Sequence, residues 1–265
     1  MDWGLLGALV KLGAAVAVAV PLAAYLLQDK LIFQPQPLAE PQRQAIAARH
    51  PDVADTFLQA ADGTRLHAWH VQGPAGAPLV LYFGGNAEEV SWMLEQLPQG
   101  AAGWLLIDYR GYGSSGGAPS ERSLSADALA WYDRFAPANS QIFAFGRSLG
   151  SAVAVRLASE RPLAGLILVA PFDSLAEVGK HHYPFLPVGL LLKHRFDSLS
   201  LAPKIAAPLL CVVAAHDEVI PVAHAKRLYD AWAGPKRWIE FAAGHNSIDH
   251  HPDYWPSIRA FLAAR

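Results

Sequence analysis

Six short apolar runs are spread along the chain, and segments with helical spacing lie between them. Each run is apolar at consecutive positions, which is typical of parallel strands buried on both faces. The alternation of such strands with helices predicts an α/β domain whose mostly parallel central sheet is flanked by helices. Ligand sites in these sheets lie at the carboxyl ends of the strands. The six runs are Pro78–Gly85, Gly103–Gly111, Gln141–Gly146, Leu163–Pro171, Pro208–Ala215 and Arg237–Gly244.

The other segments are assigned by their spacing and their turn residues. Thr64–Gly73 alternates apolar and polar side chains, which predicts an edge strand. Gln34–Gln44 is polar and proline-containing, which indicates a linker. Residues 175–207 predict a short cap excursion, whose apolar part, Tyr183–Leu192, could line an acyl groove, touch a membrane or pack on the domain. The segments with helical spacing are Ala87–Leu97, Ser123–Phe135, Ser148–Glu160, Ala223–Trp232 and Tyr254–Ala264.

Composition limits the classes of function. The chain has 265 residues, 52% of them apolar and 17% charged, which is sufficient for one large buried core. The formal net charge is −2 and there is no basic run, so binding to nucleic acid through phosphate contacts is not expected. The single cysteine, Cys211, excludes an internal disulfide, and its apolar neighbours predict a buried, inert thiol.

The N-terminal segment differs from the rest of the chain, because Lys11 is the only charge between Trp3 and Leu27. A helix of that length spans roughly 37 Å, more than the roughly 30 Å of a bilayer core. We therefore predict a single-pass membrane anchor over residues 1–30, followed by one domain over residues 31–265. A cleaved signal peptide and a helix docked on the domain are the alternatives. The charges that flank the segment conflict, so the membrane orientation stays open.

The stretch FGRSLGSA, which begins at Phe145, places Ser148 in a Gly-x-Ser-x-Gly motif. The motif follows the apolar run that ends at Gly146 and opens a helix, and this order of strand, turn and helix is that of a nucleophile elbow. Small residues must flank a nucleophile there because the strand and the helix crowd each other. The alternative is a serine that caps an ordinary helix.

A serine hydroxyl needs a base, and the base needs a carboxylate that orients it. His245 follows the last apolar run, and Asp217 follows the run before it. The chain order Ser148, Asp217, His245 is the one expected after a nucleophile elbow. Glu218 and Asp173 are the rival carboxylates.

The reaction also requires two amide donors for the oxyanion. The first candidate is the N–H of Leu149, directly after the serine. The second is the N–H of Asn86, in the glycine-containing loop after the first apolar run. The histidine-rich stretch 245–251 does not have the spacing of metal ligands, so we expect neither a metal nor a cofactor.

Taken together, these motifs resemble the α/β-hydrolase superfamily, and more narrowly the membrane-anchored serine hydrolases of the Bem46 type. The resemblance covers about residues 25–265 and rests on LYFGGNAEEV, DYRGYGSSGGAPSE, FGRSLGSAVA, PFDSL, HDEVIP and GHNS, in that order. It implies an α/β-hydrolase fold with Ser148 as nucleophile, Asp217 and His245 as its partners, and the amides of Asn86 and Leu149 as the oxyanion hole. It also implies an N-terminal anchor and a structural role for the loop DYRGYGSSGG.

The chain departs from the family where Gly84-Gly85-Asn86 replaces the usual His-Gly-Asn. We expect the family histidine to support the oxyanion loop, so its loss puts the donor geometry in question. The resemblance implies hydrolysis of carboxylic ester or thioester bonds in lipid-like or acyl substrates, through an acyl-enzyme. The alternative is a catalytically weak or inactive fold that serves as a membrane-tethered binding protein. We expect the anchor to form no part of the site, so that a chain beginning near Gln34 keeps short-ester hydrolysis.

Overall fold

The computed structural model describes residues 3–98, 100–139 and 141–264, in which eight strands form one sheet. The strands are β1 (Val53–Gln59), β2 (Arg65–Val71), β3 (Leu79–Phe83), β4 (Gly103–Ile107), β5 (Ile142–Arg147), β6 (Gly165–Val169), β7 (Leu209–Ala214) and β8 (Lys236–Phe241). Their order in the sheet is β1-β2-β4-β3-β5-β6-β7-β8. The pairs from β4 to β8 in this order are all parallel, which confirms the predicted mostly parallel sheet.

The edge of the sheet differs from the sequence prediction. The predicted edge strand, β2, lies inside the sheet, because β1 pairs antiparallel on one side of it and β4 on the other. β1 was not predicted because it lacks an alternating pattern: Val53, Thr56, Phe57 and Leu58 are all half-buried. A strand of this kind does not show the alternation of buried and exposed residues by which a strand is predicted from sequence.

Helices cover both faces of the sheet. The helices of the described chain are α1 (Trp3–Ile32), α2 (Glu40–Arg49), α3 (Glu121–Phe135), α4 (Leu149–Glu160), α5 (Leu175–His182), α6 (Val188–Leu191), α7 (Val222–Ala231) and α8 (Tyr254–Ala263), of which α1 lies largely outside the domain. The predicted helix Ala87–Leu97 is instead a 3₁₀ helix over Val90–Glu95. The linker predicted over Gln34–Gln44 is wrong in its second half, because α2 begins at Glu40. Pro41 is tolerated there, since the first turn of a helix does not use its N–H groups.

Alternate residues of the central strands pack on opposite faces of the sheet. On one face Leu81 of β3 belongs to a buried cluster that includes Trp131 of α3. On the other face Tyr82 of β3 and Phe145 of β5 belong to a second cluster, together with Ile258 of α8. Each such side chain contributes roughly 1.5–3 kcal/mol by its burial. The strands are thereby fixed at both faces, and only the loops at their ends remain available to form a site.

α1 extends two residues beyond the predicted anchor boundary at residue 30. Most of its apolar side chains are exposed, including Leu12, Val18 and Leu26. The helix is long and apolar enough from Leu6 to Ile32 to cross a membrane, a property that signal sequences share. The most apolar window of the helix is not buried in the domain, which argues against the docked alternative. Residues 1, 2, 99, 140 and 265 of the two predicted segments lie outside the described residues.

Candidate active site

Ser148 forms the turn between β5 and α4, with φ of 51° and ψ of −116°. This conformation is rare for any residue except glycine, and a 2.9 Å hydrogen bond from the Ser148 N–H to the carbonyl oxygen of Val169 helps to hold it. The flanking glycines are required by close contacts. A Cβ atom on Gly146 would lie 2.3 Å from the oxygen of Gly150, and one on Gly150 would lie 2.0 Å from the oxygen of Phe83.

The side chain of Ser148 faces a histidine and accepts no capping hydrogen bond from the described residues of α4. His245 Nε2 lies 3.1 Å from Ser148 Oγ, and His245 Nδ1 lies 2.7 Å from Asp217 Oδ2. The other carboxylate oxygen of Asp217 accepts the N–H groups of Val219 and Ile220, at 2.9 and 2.7 Å. These two amides fix the orientation of the Asp217 carboxylate, and the side chain is only 2% exposed. The structure thus brings together the three side chains that the sequence predicted, at the ends of β5, β7 and β8.

The two rival carboxylates have other environments. Asp173 is buried, and its oxygens lie 2.7 Å from His224 Nδ1 and 2.6 Å from Arg227 Nε. Its hydrogen-bonding capacity is therefore directed toward α7. Glu218 is exposed to solvent beside Asp217. Of the three candidate carboxylates, Asp217 is the one in hydrogen-bond contact with His245.

The two predicted oxyanion donors lie in the wall of the cavity that contains Ser148. Leu149 is the first residue of α4, so its N–H has no acceptor within the helix. The helix N-terminus also favours negative charge at this point. Asn86 is held by its side chain, whose Nδ2 donates to the carbonyl oxygen of Ile32 at 2.6 Å. Its side chain is thereby tied to Ile32, the last residue of α1.

The loop DYRGYGSSGG supports the segment that contains Asn86. The hydroxyl of Tyr112 donates to Asn86 Oδ1 at 2.7 Å, and the hydroxyl of Tyr109 donates to the carbonyl oxygen of Gly84 at 2.9 Å. Desolvation raises the pKa of Tyr112 to about 12 and the pKa of Tyr109 well above its usual value. Both phenols are therefore protonated donors at neutral pH, which confirms the predicted structural role of this loop.

Glu88 occupies the space beside Gly84, the position at which the family carries histidine. Its Oε2 accepts the N–H of Gly85 at 2.6 Å and the guanidinium of Arg147 at 2.9 Å. Its Oε1 accepts the hydroxyl of Tyr82 at 2.6 Å. A Cβ atom on Gly84 would lie 3.1 Å from this carboxylate, so a larger side chain there would compete with Glu88 for space. A buried carboxylate therefore supports the loop that carries Asn86, the predicted oxyanion donor.

Arg147 connects this carboxylate with the loop that carries the histidine. Its Nη2 lies 3.4 Å from Oδ1 of Asn246, the residue after His245. Desolvation is the largest single effect and lowers the pKa of Arg147, but the effects of Glu88, Tyr82 and Tyr254 together outweigh it and the net shift is upward. The sequence analysis did not identify this ion pair. The available signal was a charged residue at the end of the apolar strand β5, directly before the candidate nucleophile.

A cavity of about 680 Å³ opens beside Ser148. The cap forms part of its wall through Tyr183, Leu186 and Val188, so the apolar part of the excursion lines the cavity. Ala24 and Ile32 of α1 form another part of the wall. The expectation that the N-terminal segment forms no part of the site is therefore wrong. The apolar pattern of α1 does not distinguish a helix that only anchors from one that also lines a cavity.

Two further expectations concern Cys211 and the histidine-rich stretch 245–251. Cys211 is buried in β7, as predicted, and desolvation raises the pKa of its thiol. His251 stacks on the ring of Phe241 with centroids 4.1 Å apart. Within the described ranges, no three His, Cys, Asp or Glu side chains group as metal ligands do.

The sheet, the strained serine turn and the Ser148–His245–Asp217 contacts define the class of α/β hydrolases. A family model described as serine aminopeptidase, S33, matches residues 79–192. The chain is 39% identical over 249 residues to protein Rv2307c of Mycobacterium tuberculosis, covering 89% of this chain and 87% of the relative. It is 29% identical to the membrane protein YNL320W of Saccharomyces cerevisiae, covering 95% of both chains.

Among solved structures, the esterase Pf2001 of Pyrococcus furiosus superposes with a TM-score of 0.67 at 18% identity. The superposition covers 88% of this chain and 99% of that chain, and it shows a shared fold. The chain belongs to the α/β-hydrolase superfamily. This membership supports a hydrolytic function.

Proposed function

We propose that the protein is a serine hydrolase that cleaves carboxylic ester or thioester bonds of lipid-like or acyl substrates. The observation that carries the proposal is the chain of contacts from Ser148 Oγ through the imidazole of His245 to the buried carboxylate of Asp217. The strained turn at Ser148 supports the same role, because strain of this kind is typical of nucleophile elbows.

The proposed reaction proceeds in two steps. Asp217 accepts a hydrogen bond from Nδ1–H of His245 and leaves Nε2 free to take the proton of Ser148. The serine oxygen attacks the carbonyl carbon, while the amides of Asn86 and Leu149 stabilise the oxyanion. His245 returns the proton to the leaving alcohol or thiol, and an acyl-enzyme remains. In the second step His245 takes a proton from water, which attacks the acyl group and releases the acid.

The lining of the cavity favours an apolar acyl group over a peptide with a free amino terminus. An aminopeptidase must hold a charged ammonium group, for which a carboxylate is the usual partner. No aspartate or glutamate is among the described residues that line this cavity. The lining is mostly aliphatic, with Leu175, Val178 and Leu191 among its members.

We further propose that α1 anchors the protein in a membrane as a single span over residues 1–30, with the catalytic domain over residues 31–265. The length and exposed apolar surface of α1 support this proposal. The similarity to a yeast membrane protein over nearly the whole chain supports it as well.

The test is labelling with a fluorophosphonate, which reacts only with an activated serine. We expect the wild-type protein to be labelled and Ser148→Ala to be unlabelled, because the substitution removes the nucleophile. Ser159→Ala is the matched control, since Ser159 lies further along the same helix and its hydroxyl donates to the carbonyl oxygen of Arg156, away from the turn at Ser148. A wild-type protein that stays unlabelled while folded would favour the alternative, an inactive fold that binds ligands at the membrane.

A panel of substrates then assigns the bond that is cleaved. It contains short esters, acyl thioesters, lysophospholipids and aminoacyl anilides. We expect hydrolysis of the esters or thioesters at higher kcat/KM than that of the anilides. Preference for the anilides would contradict the proposal and assign an aminopeptidase instead.

A further inference from the structure

The last turns of α1 face the catalytic cavity along one stripe. Ala24, Gln28 and Ile32 are spaced by four residues, so they lie on the same face of the helix, and all three line the cavity. They are less exposed than Ala23 and Leu27, the residues directly before Ala24 and Gln28, which lie on other faces of the helix. The stripe gives α1 a second contact surface, separate from the apolar faces that a bilayer would cover.

Gln28 fixes this stripe against the cap. Its side chain is a buried amide, only 5% exposed, in a helix that is otherwise almost entirely apolar. Nε2 donates to the carbonyl oxygen of Leu191 at 3.1 Å, and Oε1 accepts the N–H of Lys193 at 2.7 Å. Nε2 also donates to the oxygen of Tyr25 within α1 at 2.8 Å. A buried amide is stable when its groups are bonded in this way, so Gln28 holds α1 and the end of α6 at a fixed distance.

Large apolar side chains are exposed on both sides of this junction, beside the charged residues Asp29, Lys30 and Lys193. Leu31 of α1 lines the cavity and is still 63% exposed. On the cap, Phe185 is 75% exposed and Leu190 is 88% exposed. Soluble domains rarely expose large apolar side chains next to each other without a partner. The exposed side of α1 is itself apolar, and it is the part of the chain that a bilayer would surround.

We propose that the last turns of α1 and the cap form one acyl-chain site, with α1 as a wall, and that the chain enters from the bilayer. This inference rests on the proposed function, since it places the acyl group of the substrate of Ser148. The volume of about 680 Å³ is in the usual range of small-molecule sites. The ligand is the hydrocarbon chain of a lipid-like ester or thioester, held by aliphatic side chains on both walls.

The test uses the full-length protein in phosphatidylcholine nanodiscs and p-nitrophenyl esters from acetate to dodecanoate. Ala24→Leu narrows the site from the α1 side. Ala23→Leu is the matched control, because it makes the same change one residue away on an exposed face. All rates are divided by the concentration of sites that react with a small fluorophosphonate, so that only folded, active protein is compared.

We expect Ala24→Leu to lower the ratio of kcat/KM for dodecanoate to that for acetate by at least about tenfold, as steric exclusion of a few methylene groups does. Ala23→Leu keeps the wild-type ratio. Equal ratios in both variants would overturn the inference while leaving the hydrolase proposal intact. A uniform loss at every chain length in Ala24→Leu would also overturn it. A wild-type protein that neither reacts with the fluorophosphonate nor cleaves any ester contradicts the proposed function itself.

Discussion

Glu88 offers the sharpest test of how this chain supports its oxyanion loop without the family histidine. Glu88→Gln keeps the shape of the side chain but removes its charge and one of its two acceptor oxygens. The carboxylate accepts the N–H of Gly85, the hydroxyl of Tyr82, the indole N–H of Trp92 and the guanidinium of Arg147, so the amide cannot satisfy all four donors. The substitution therefore loosens the loop directly before Asn86 and leaves a buried guanidinium without its counter-ion.

The structure allows the expected losses of stability and of catalytic rate to be worked out. The two side chains of the ion pair are 6% and 14% exposed, so breaking the pair costs about 3–5 kcal/mol of unfolding free energy. In a chain of this size that corresponds to a Tm lower by roughly 6–20 °C. Complete loss of one oxyanion donor lowers kcat by about 10²–10³. Because the N–H of Asn86 is displaced and not removed, we expect a decrease of roughly 10- to 100-fold.

The assay is hydrolysis of p-nitrophenyl acetate by protein whose active sites are counted with a fluorophosphonate, together with thermal unfolding. We expect the loss in kcat and little change in KM, since the donors act mainly in the transition state. Glu89→Gln is the matched control, because Glu89 caps the 3₁₀ helix through Ser91 and makes no contact with the oxyanion loop in the described structure. An unchanged kcat in Glu88→Gln, at a lowered Tm, would refute the positioning role.

Two more predictions test the site. Asp217→Asn lowers kcat by about 10³–10⁴, because an asparagine holds the wrong imidazole tautomer. Asp173→Asn mainly lowers stability, since Asp173 contacts His224 and Arg227; a larger loss of kcat per active site in this variant would assign the acid to Asp173. A chain that begins at Gln34 loses dodecanoate hydrolysis more than acetate hydrolysis, because it lacks the α1 wall; loss of the Ile32 acceptor of Asn86 lowers both rates. Equal rates of the truncated and full-length proteins on both esters would show that α1 only anchors.

The central fold was predictable because its strands are apolar at every position. β3, β4 and β6 are buried along their whole length, and a short run that is apolar throughout has few interpretations other than a buried parallel strand. The candidate nucleophile, acid and base were predictable because each follows such a strand in the expected chain order. β1 and α2 lie at the edge of the domain, where partial burial and an early proline remove the pattern that the prediction uses.

The supporting residues were not predictable for a different reason. Glu88 and Arg147 are 59 positions apart, and each alone has the properties of a surface charge. Their pairing follows from the neighbouring positions of β3 and β5 in the sheet, which the sequence alone does not state. When a charged pair forms only because two strands are neighbours in the sheet, the sequence around each residue shows no pattern that predicts the pair. The pair nevertheless determines the geometry of the loop that it supports.

Gln28 shows the same limit in the N-terminal helix. An apolar helix with one amide near its end fits a membrane anchor, a signal sequence and a cavity wall equally well at the level of composition. The amide contacts Leu191 and Lys193, more than 160 positions later in the chain. Asp29, the next residue, also contacts this part of the chain, since its Oδ1 lies 2.9 Å from His194 Nε2. A helix that only held the protein at a membrane would need neither of these contacts. The burial and bonding of Gln28 therefore favour α1 as a part of the catalytic domain as well as its anchor.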